Sequence, residues 1–342
     1  MDMLPPAILG GTVARLAIDP LSSFFITRRN LGSGLLSSLA LGAVGNFGLL
    51  SGCAYKYIPG YQFTPALFEV TTAKSATTAW LFGSIHAGLS RFYPLPDLVE
   101  QKFASSESIA VEIDMSKRLA ETSALFRPHV YLPASQSLST HIGIETFAEM
   151  RRYFDWDRKE TATHERYAPW YLALIMTSKD DGAAGMERAI GLESVLTQKA
   201  AALGKVTLEL ETPVEQVSAF VSGSMAEQVA QLKARFKQVT KWDRTANNLI
   251  EAWRLGDLDQ MAALKNEHFA NTGEVKALRD RMFAQRDSRI AERLIGLINR
   301  EPVNSNRNSI FALVGAFHLA GEDSLQEQLV AAGGTVTRVK YA

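Results

Sequence analysis

The sequence of 342 residues contains only one cysteine, Cys53, which excludes an internal disulfide bond and any metal site built from a cysteine cluster. It also lacks an excess of either charge, because Lys+Arg 36 equals Asp+Glu 36. A net charge of zero gives no electrostatic reason to expect nucleic acid as a partner. The contents of 46% hydrophobic and 21% charged residues are instead typical of a globular protein with a sizeable core.

Residues 1–52 have the layout of an export signal of the twin-arginine type. Arg28 and Arg29 precede an apolar stretch, residues 31–50, that contains no charged residue. A basic region, an apolar region and small residues at the end are typical of a removable signal. A transmembrane anchor that is never cleaved is the alternative, since the stretch is about long enough to span a bilayer. Its glycines and Asn46 make it a poor span, so we favour the signal.

The apolar stretch ends in Leu-Ser-Gly-Cys at residues 50–53, which resembles the lipobox of bacterial lipoproteins. In that motif the cysteine carries lipid and becomes the first residue of the mature chain. We therefore expect Cys53 to be lipidated. The mature protein would be anchored by this lipid to a bacterial membrane, facing the periplasm or the cell exterior.

After the signal, the chain alternates between strand and helix patterns. Residues 53–76 are interpreted as a tether and a strand that leads into the main domain, residues 77–342. Short apolar runs separated by helical periodicity predict an α/β fold with a mainly parallel central sheet. Two helical segments, at about 116–183 and 213–299, interrupt this alternation and are interpreted as insertions.

Two copies of one pattern, a strand followed by Gly-x-x-His, stand more than 200 residues apart. In residues 79–86 an apolar run reaches Gly83 and then His86, and in residues 310–318 another run reaches Gly315 and then His318. Glycine lets the backbone turn tightly before the histidine. A histidine just past the carboxyl end of a strand lies where open α/β sheets build their sites. One such histidine is more often a buried structural residue, but the repeat favours two histidines that converge.

Glu112 supplies a carboxylate for the same place. It ends a third apolar run, residues 108–114, where a charged side chain is costly unless it is paired or bound to a metal. Two imidazoles and one carboxylate are a common catalytic metal set that leaves positions for water and substrate. We expect His86, His318 and Glu112 to lie close enough to share one ion. Asp114 is interpreted as the cap of the next helix.

Other polar residues have simpler interpretations. Glu209 and Glu211 are expected to pair with basic neighbours. The remaining histidines lie in charged or loop-like contexts and are interpreted as surface residues; they are His129, His141, His164 and His268.

The first helical insertion is expected to cover the mouth of the site, because it follows the strand that bears Glu112 and so leaves the sheet at its functional end. Its aromatic side chains are predicted to line a substrate groove, and a plain helical core is the alternative. These side chains are Trp156, Tyr167, Trp170 and Tyr171.

The ordered set of motifs resembles the TraB/GumN family, whose animal relatives are the Tiki proteases. The hallmark of that family is two Gly-x-x-His motifs together with a glutamate and an arginine. The matching segments are residues 81–86, 111–114, 191–200, 210–216, 285–287 and 314–321. Two departures stand out, since family members usually have Asp where Glu193 stands and Asn where Asp287 stands. The second places a carboxylate beside the family arginine, Arg286.

The resemblance implies an EreA/ChaN/Tiki-like fold and a metal-dependent peptidase. His86, His318 and Glu112 would hold a divalent ion, manganese or cobalt by resemblance with zinc as a further option, and Glu112 would be the third ligand or the general base. Arg286 would act in catalysis by stabilising an oxyanion or orienting a peptide or protein substrate. The alternative is a non-catalytic lipoprotein that binds haem or another ligand through the same histidines, as in the ChaN branch.

Overall fold

The computed structural model describes residues 62–183, 185–239, 242–269, 273–300 and 309–341. The predicted export signal and Cys53 lie outside these residues.

Within the described residues, six strands form one sheet in the order β4-β3-β5-β2-β1-β6. The strands are β1 (Leu67–Thr72), β2 (Ser75–Ser84), β3 (Ser108–Val111), β4 (Val206–Glu209), β5 (Ser309–Gly315) and β6 (Gly334–Arg338). Strands β2, β5, β3 and β4 are parallel neighbours, whereas β1 is antiparallel to both β2 and β6. The predicted α/β fold with a mainly parallel sheet is therefore confirmed.

Helices connect and cover the strands. Those between β2 and β4 are α1 (Asp97–Ser105), α2 (Met115–Phe126), α3 (Leu138–Ile142), α4 (Ile144–Tyr153), α5 (Arg158–His164), α6 (Pro169–Ala183) and α7 (Leu192–Ala202). Those after β4 are α8 (Pro213–Val221), α9 (Met225–Val239), α10 (Trp242–Leu255), α11 (Leu258–His268), α12 (Glu274–Met282), α13 (Ala284–Ile298) and α14 (Leu325–Ala331). None of the helices among these residues is long and apolar enough to cross a membrane.

Apolar side chains cover the sheet on both faces, as expected for parallel strands. On one face, Phe82 and Phe311 pack with Phe103 of α1 and Trp253 of α10. The opposite face carries a second cluster, in which Leu81 and other strand residues pack against α13 and α14. Because both faces are covered, polar side chains that follow the strand ends gather at the carboxyl edge of the sheet.

The predicted groove-lining role of the aromatic side chains in the insertion is wrong. Trp156, Tyr167, Trp170 and Tyr171 are each no more than 6% exposed. Trp156 packs in a cluster with residues of α3, α4, α6 and α9, and the other three pack in a second cluster with Phe126 and Val217. The inserted helices have apolar faces of their own to bury, so these rings form a core.

Glu215 joins the start of α8 to α13. It closes a capping box with Thr212, and both of its oxygens accept from Arg293 at 2.7 Å. These bonds lower the pKa of Glu215 from its ordinary value of 4.5 to about 2, with the Arg293 bond as the largest cause.

We expect Glu215 to contribute stability that depends on pH. Its pKa is lower in the folded chain, so the contribution is present above about pH 4.5 and is lost as the pH falls toward 2. Glu215→Gln should cost on the order of 2 kcal/mol of unfolding free energy at pH 7 and much less near pH 2. Urea unfolding of both proteins across this range measures the difference. A cost that does not change with pH would contradict the assignment.

Candidate active site at the carboxyl edge of the sheet

Three polar side chains follow the carboxyl ends of three neighbouring parallel strands. His86 follows β2, His318 follows β5 and Glu112 directly follows β3. The central strand β5 pairs with both of the others, so the three ends meet at one edge.

The bare Cα of Gly315 is the point around which these side chains gather. A methyl group placed on it would lie 3.4 Å from Glu112 Oε1, 3.4 Å from His318 Cδ2 and 3.7 Å from His86 Nε2. Because each of these three atoms lies within 3.7 Å of the same point, the two histidine rings and the Glu112 carboxylate are neighbours. The structure brings the three predicted ligands to one place, and their role as metal ligands stays a prediction.

His86 is held by a carboxylate from α7. Its Nδ1 lies 2.8 Å from Glu193 Oε1, and the same oxygen accepts a hydrogen bond from the buried hydroxyl of Ser84. The Glu193 charge raises the pKa of His86 to about 9, opposed by desolvation. The His86 side chain is 64% exposed, so this imidazole is the part of the site that solvent reaches most readily.

His318 is held in the same way but is buried. Its Nδ1 hydrogen-bonds Asp287 Oδ1, and its ring lies 5.3 Å from that of Phe283. Asp287 is fully buried in the first turn of α13. Asp287, which stands where family members usually have Asn, is thus the hydrogen-bond partner of the second histidine.

Glu112 is bonded on both of its oxygens. Oε1 accepts the backbone N–H of Gly315 at 2.7 Å and lies 3.7 Å from His318 Nε2, while Oε2 accepts from Arg286 at 2.7 Å. Burial alone would raise the pKa of Glu112. The charge of Arg286 and the two histidines, with the Gly315 bond, outweigh burial and lower the pKa to about 2. Glu112 is therefore an ionised carboxylate at neutral pH.

Arg286 is buried and engaged on several sides. Its Nε donates to Glu211 at 2.8 Å, one terminal nitrogen bridges Glu211 and Glu112, and the other donates to the carbonyl of Met282. The site arginine is therefore held as the partner of two glutamates. Glu211 pairs with a basic neighbour, as expected, but the sequence pattern did not indicate that this neighbour is Arg286.

The loop carrying His86 lies against the segment that precedes α7. Gly88 exchanges backbone hydrogen bonds with Glu187 at 2.9 Å. A methyl group on Gly191 would lie only 2.0 Å from the carbonyl oxygen of His86. Glycine is thus required at position 191 by close backbone approach.

Replacing Gly191 by Ala should displace the His86 loop and destabilise the fold by about 1–3 kcal/mol. Gly296→Ala is the matched control, because nothing lies within 4 Å of a methyl group there and the residue is in the exposed face of α13. The control should be neutral or stabilising by up to about 1 kcal/mol. Urea unfolding compares the two variants, and equal effects would show that the close approach carries no cost.

The remaining polar residues confirm some predictions and contradict others. Asp114 caps α2 by accepting from the backbone of Ser116, and Glu209 pairs with Arg118 at 2.9 Å, both as expected. His129 is exposed, as expected. His164 was expected at the surface and is buried, because its ring stacks on Trp156 at 4.1 Å within the core of the insertion. His141 and His268 are half-buried rather than fully at the surface.

In the part of the chain that the structure describes, no three His, Cys, Asp or Glu side chains are arranged closely enough to hold an ion as they stand. The donor chemistry nevertheless fits a divalent ion. In both histidines Nδ1 faces a carboxylate, so Nε2 is the nitrogen that an ion would bind; on His86, whose pKa is raised to about 9, the ion would displace a proton from it. Glu112 would add an ionised oxygen 3.7 Å from His318 Nε2, and the bare Cα of Gly315 leaves space between the groups.

Comparison with known proteins shows to which family the chain belongs. The sequence profile of the TraB/PrgY/gumN family matches residues 66–338, which cover the whole sheet and the site. The chain belongs to the TraB/PrgY/gumN family. The resemblance drawn from the motifs is thereby confirmed.

Curated relatives of this TraB/PrgY/gumN member are distant. Metalloprotease TIKI2 of Danio rerio is 22% identical over 309 residues, covering 77% of this chain and 58% of that protein. The uncharacterized protein YbaP of Escherichia coli K12 is 25% identical over 138 residues, covering 40% of this chain and 50% of that protein, and YbaP of Shigella flexneri matches equally. The chain thus spans little more than half the length of these relatives. No solved structure matches significantly.

Proposed function

We propose that this chain is a metal-dependent hydrolase, and more specifically a peptidase. The observation that carries the proposal is the convergence of His86 Nε2, His318 and Glu112 Oε1 around the bare Cα of Gly315. Membership in a family with a relative named as a metalloprotease supports it.

His86, His318 and Glu112 would hold the ion through two nitrogens and one oxygen. Manganese or cobalt is the first choice by family resemblance, and zinc also suits this ligand set. When bound, the ion would supply Lewis-acid chemistry, polarising the scissile carbonyl and lowering the pKa of a water molecule toward neutrality. Peptide hydrolysis adds this water across the C–N bond and needs no oxidant or other co-reactant.

Glu112 suits the role of ligand better than that of general base. A general base works best when its pKa is near the operating pH. The lowered pKa of Glu112, about 2, keeps it ionised and makes it a weak base.

Arg286 suits the role of positioning Glu112. Its hydrogen bonds to Glu112, Glu211 and the Met282 carbonyl occupy most of its donors, and its side chain is 5% exposed. Contact with a substrate oxyanion would require one of these bonds to break. Direct oxyanion stabilisation by Arg286 stays a prediction.

Substrate would approach from the side of His86, the exposed ligand. The insertion that begins at α2 leaves the sheet at the carboxyl end of β3, beside Glu112. The segment following this insertion pairs with Gly88, two residues after His86. We therefore keep the proposal that this part of the chain borders the mouth, although its buried aromatic rings do not line a groove.

We also propose that the protein is exported and held by lipid at a membrane surface. Cys53→Ser should then block processing and leave a precursor that is larger than the wild-type mature protein. Intact-mass measurement of the membrane fraction checks this, and an unmodified Cys53 inside an uncut chain would refute the lipid anchor.

The hydrolase is tested by incubating the metal-free chain with a fluorogenic peptide library and adding Mn²⁺, Co²⁺ or Zn²⁺. We expect cleavage that requires one of these ions and is lost in His86→Ala. A parallel haem titration tests the alternative function. A Soret shift that depends on His86 and His318, without metal-dependent cleavage, would replace the hydrolase by a haem-binding lipoprotein.

A further inference from the structure

Both site histidines share a feature that the proposed reaction does not by itself explain. Each ring turns Nδ1 toward a buried or half-buried carboxylate, Glu193 for His86 and Asp287 for His318. The two carboxylates come from different helices, α7 and α13, yet they make the same contact. A carboxylate oxygen accepts hydrogen bonds, so each contact favours a proton on Nδ1 of the ring.

We propose that Glu193 and Asp287 are positioning residues that hold His86 and His318 in the Nδ1–H form. Both Nε2 atoms are then directed to bind a metal ion in the space beside Gly315. The inference rests on the proposed function only in the second of its two experiments, which measures metal binding. Carboxylates that accept from the far nitrogen of a ligating histidine fix its tautomer and orientation and raise its basicity.

The environment of Asp287 favours this role over simple packing. The side chain is fully buried, and its second oxygen, Oδ2, has no protein hydrogen-bond partner among the described residues. Burying a carboxylate with one oxygen unsatisfied costs free energy that a neutral amide would avoid. Lys265, only 1% exposed, and Arg286 lie near enough to interact electrostatically with Asp287. Two buried cations thus lie close to this carboxylate.

Glu193 has a competing structural interpretation, since it also accepts from Ser84, whose hydroxyl lies 3.0 Å from the Val314 carbonyl. Glu193 would then only connect α7 to the sheet. Ser84→Ala breaks that connection without touching the imidazole, and therefore separates the two interpretations.

The first readout needs no metal. Long-range ¹H–¹⁵N spectra of the full chain in alkaline buffer, where the rings are neutral, report which nitrogen is protonated. We expect Nδ1–H rings in wild type, Ser84→Ala, Glu193→Gln and Asp287→Asn. In the last two variants the new amide oxygen still accepts the hydrogen bond from Nδ1. Glu193→Leu and Asp287→Leu should each lose this preference at the ring they contact. Wild-type rings in the Nε2–H form would overturn the inference.

The second readout is calorimetric titration with Mn²⁺ alone. The two leucine variants should bind Mn²⁺ about 10–100-fold more weakly than wild type, whereas Ser84→Ala should differ little. The glutamine and asparagine variants should recover most of the affinity, a rescue that a purely structural loss would not show. Circular dichroism confirms that each variant is folded. If wild type binds none of the tested ions, the proposed hydrolase fails, and the tautomer spectra still decide the role of Glu193 and Asp287.

Discussion

Replacing His318 by Ala should lower metal-dependent peptide cleavage by about a thousandfold. Lewis-acid stabilisation of a transition state is worth several kcal/mol, and each ~1.4 kcal/mol is a factor of ten in rate. His318 is the buried member of the proposed ligand set, bonded to Asp287 and 3.7 Å from Glu112. The loss is measured as the fall in kcat/KM for a peptide that the wild-type chain cleaves.

His129→Ala is the control for this experiment, because His129 is exposed and lies outside the site. It should retain full activity. His318→Gln keeps a polar side chain of similar length and guards against a simple folding defect. Activity of either His318 variant within tenfold of wild type would exclude His318 as a ligand.

Replacing Arg286 by Met should produce a large stability loss, about 3–5 kcal/mol of unfolding free energy. The change leaves Glu112 and Glu211 without their shared cation, and the Glu211 side chain is fully buried. An uncompensated buried charge is much more costly than the loss of a favourable pair. Urea unfolding measures the loss.

Arg118→Met is the matched control, because Arg118 pairs with Glu209 at the surface and its side chain is 43% exposed. An exposed ion pair is screened by water and contributes little to stability, so the control should change little. The Arg286→Met deficit should also shrink in acid, since protonation removes the charge of Glu112, whose pKa Arg286 helps to lower. Equal losses of unfolding free energy in the two variants would show that Arg286 does not stabilise a buried charge cluster.

The place of the site could be predicted from the sequence because its signal is local. Apolar runs that stop at Gly83 and Gly315 mark strand ends, and parallel neighbours present those ends at one edge. Glu112 was found in the same way, as a charge at the end of an apolar run.

The carboxylates that contact His86, His318 and Arg286 could not be assigned in this way. Glu193, Asp287 and Glu211 lie far along the chain from the residues they contact, and each stands in a helix or loop where acidic residues are common. Their pairing depends on how α7 and α13 pack on the sheet. The only sequence signal was that Glu193 and Asp287 depart from the usual family residues.

The inserted helices show a second limit of sequence patterns. Trp156 and His164 stand in charged, irregular segments that suggest a surface or a groove, yet they stack on each other in a core. An aromatic residue has the same local pattern whether it meets a substrate or another helix, so only the tertiary packing separates the two roles.

Metal analysis of the purified chain tests the central claim most directly. Wild type should bind one Mn²⁺, Co²⁺ or Zn²⁺ per chain, whereas His86→Ala should bind none. Gly315→Ala is the sharper variant, because its methyl group would occupy the space between Glu112, His318 and His86 while making contacts of 3.4 Å or more. It should stay folded and lose the ion. A wild-type chain without metal, or a Gly315→Ala chain that binds it as tightly as wild type, would contradict the account.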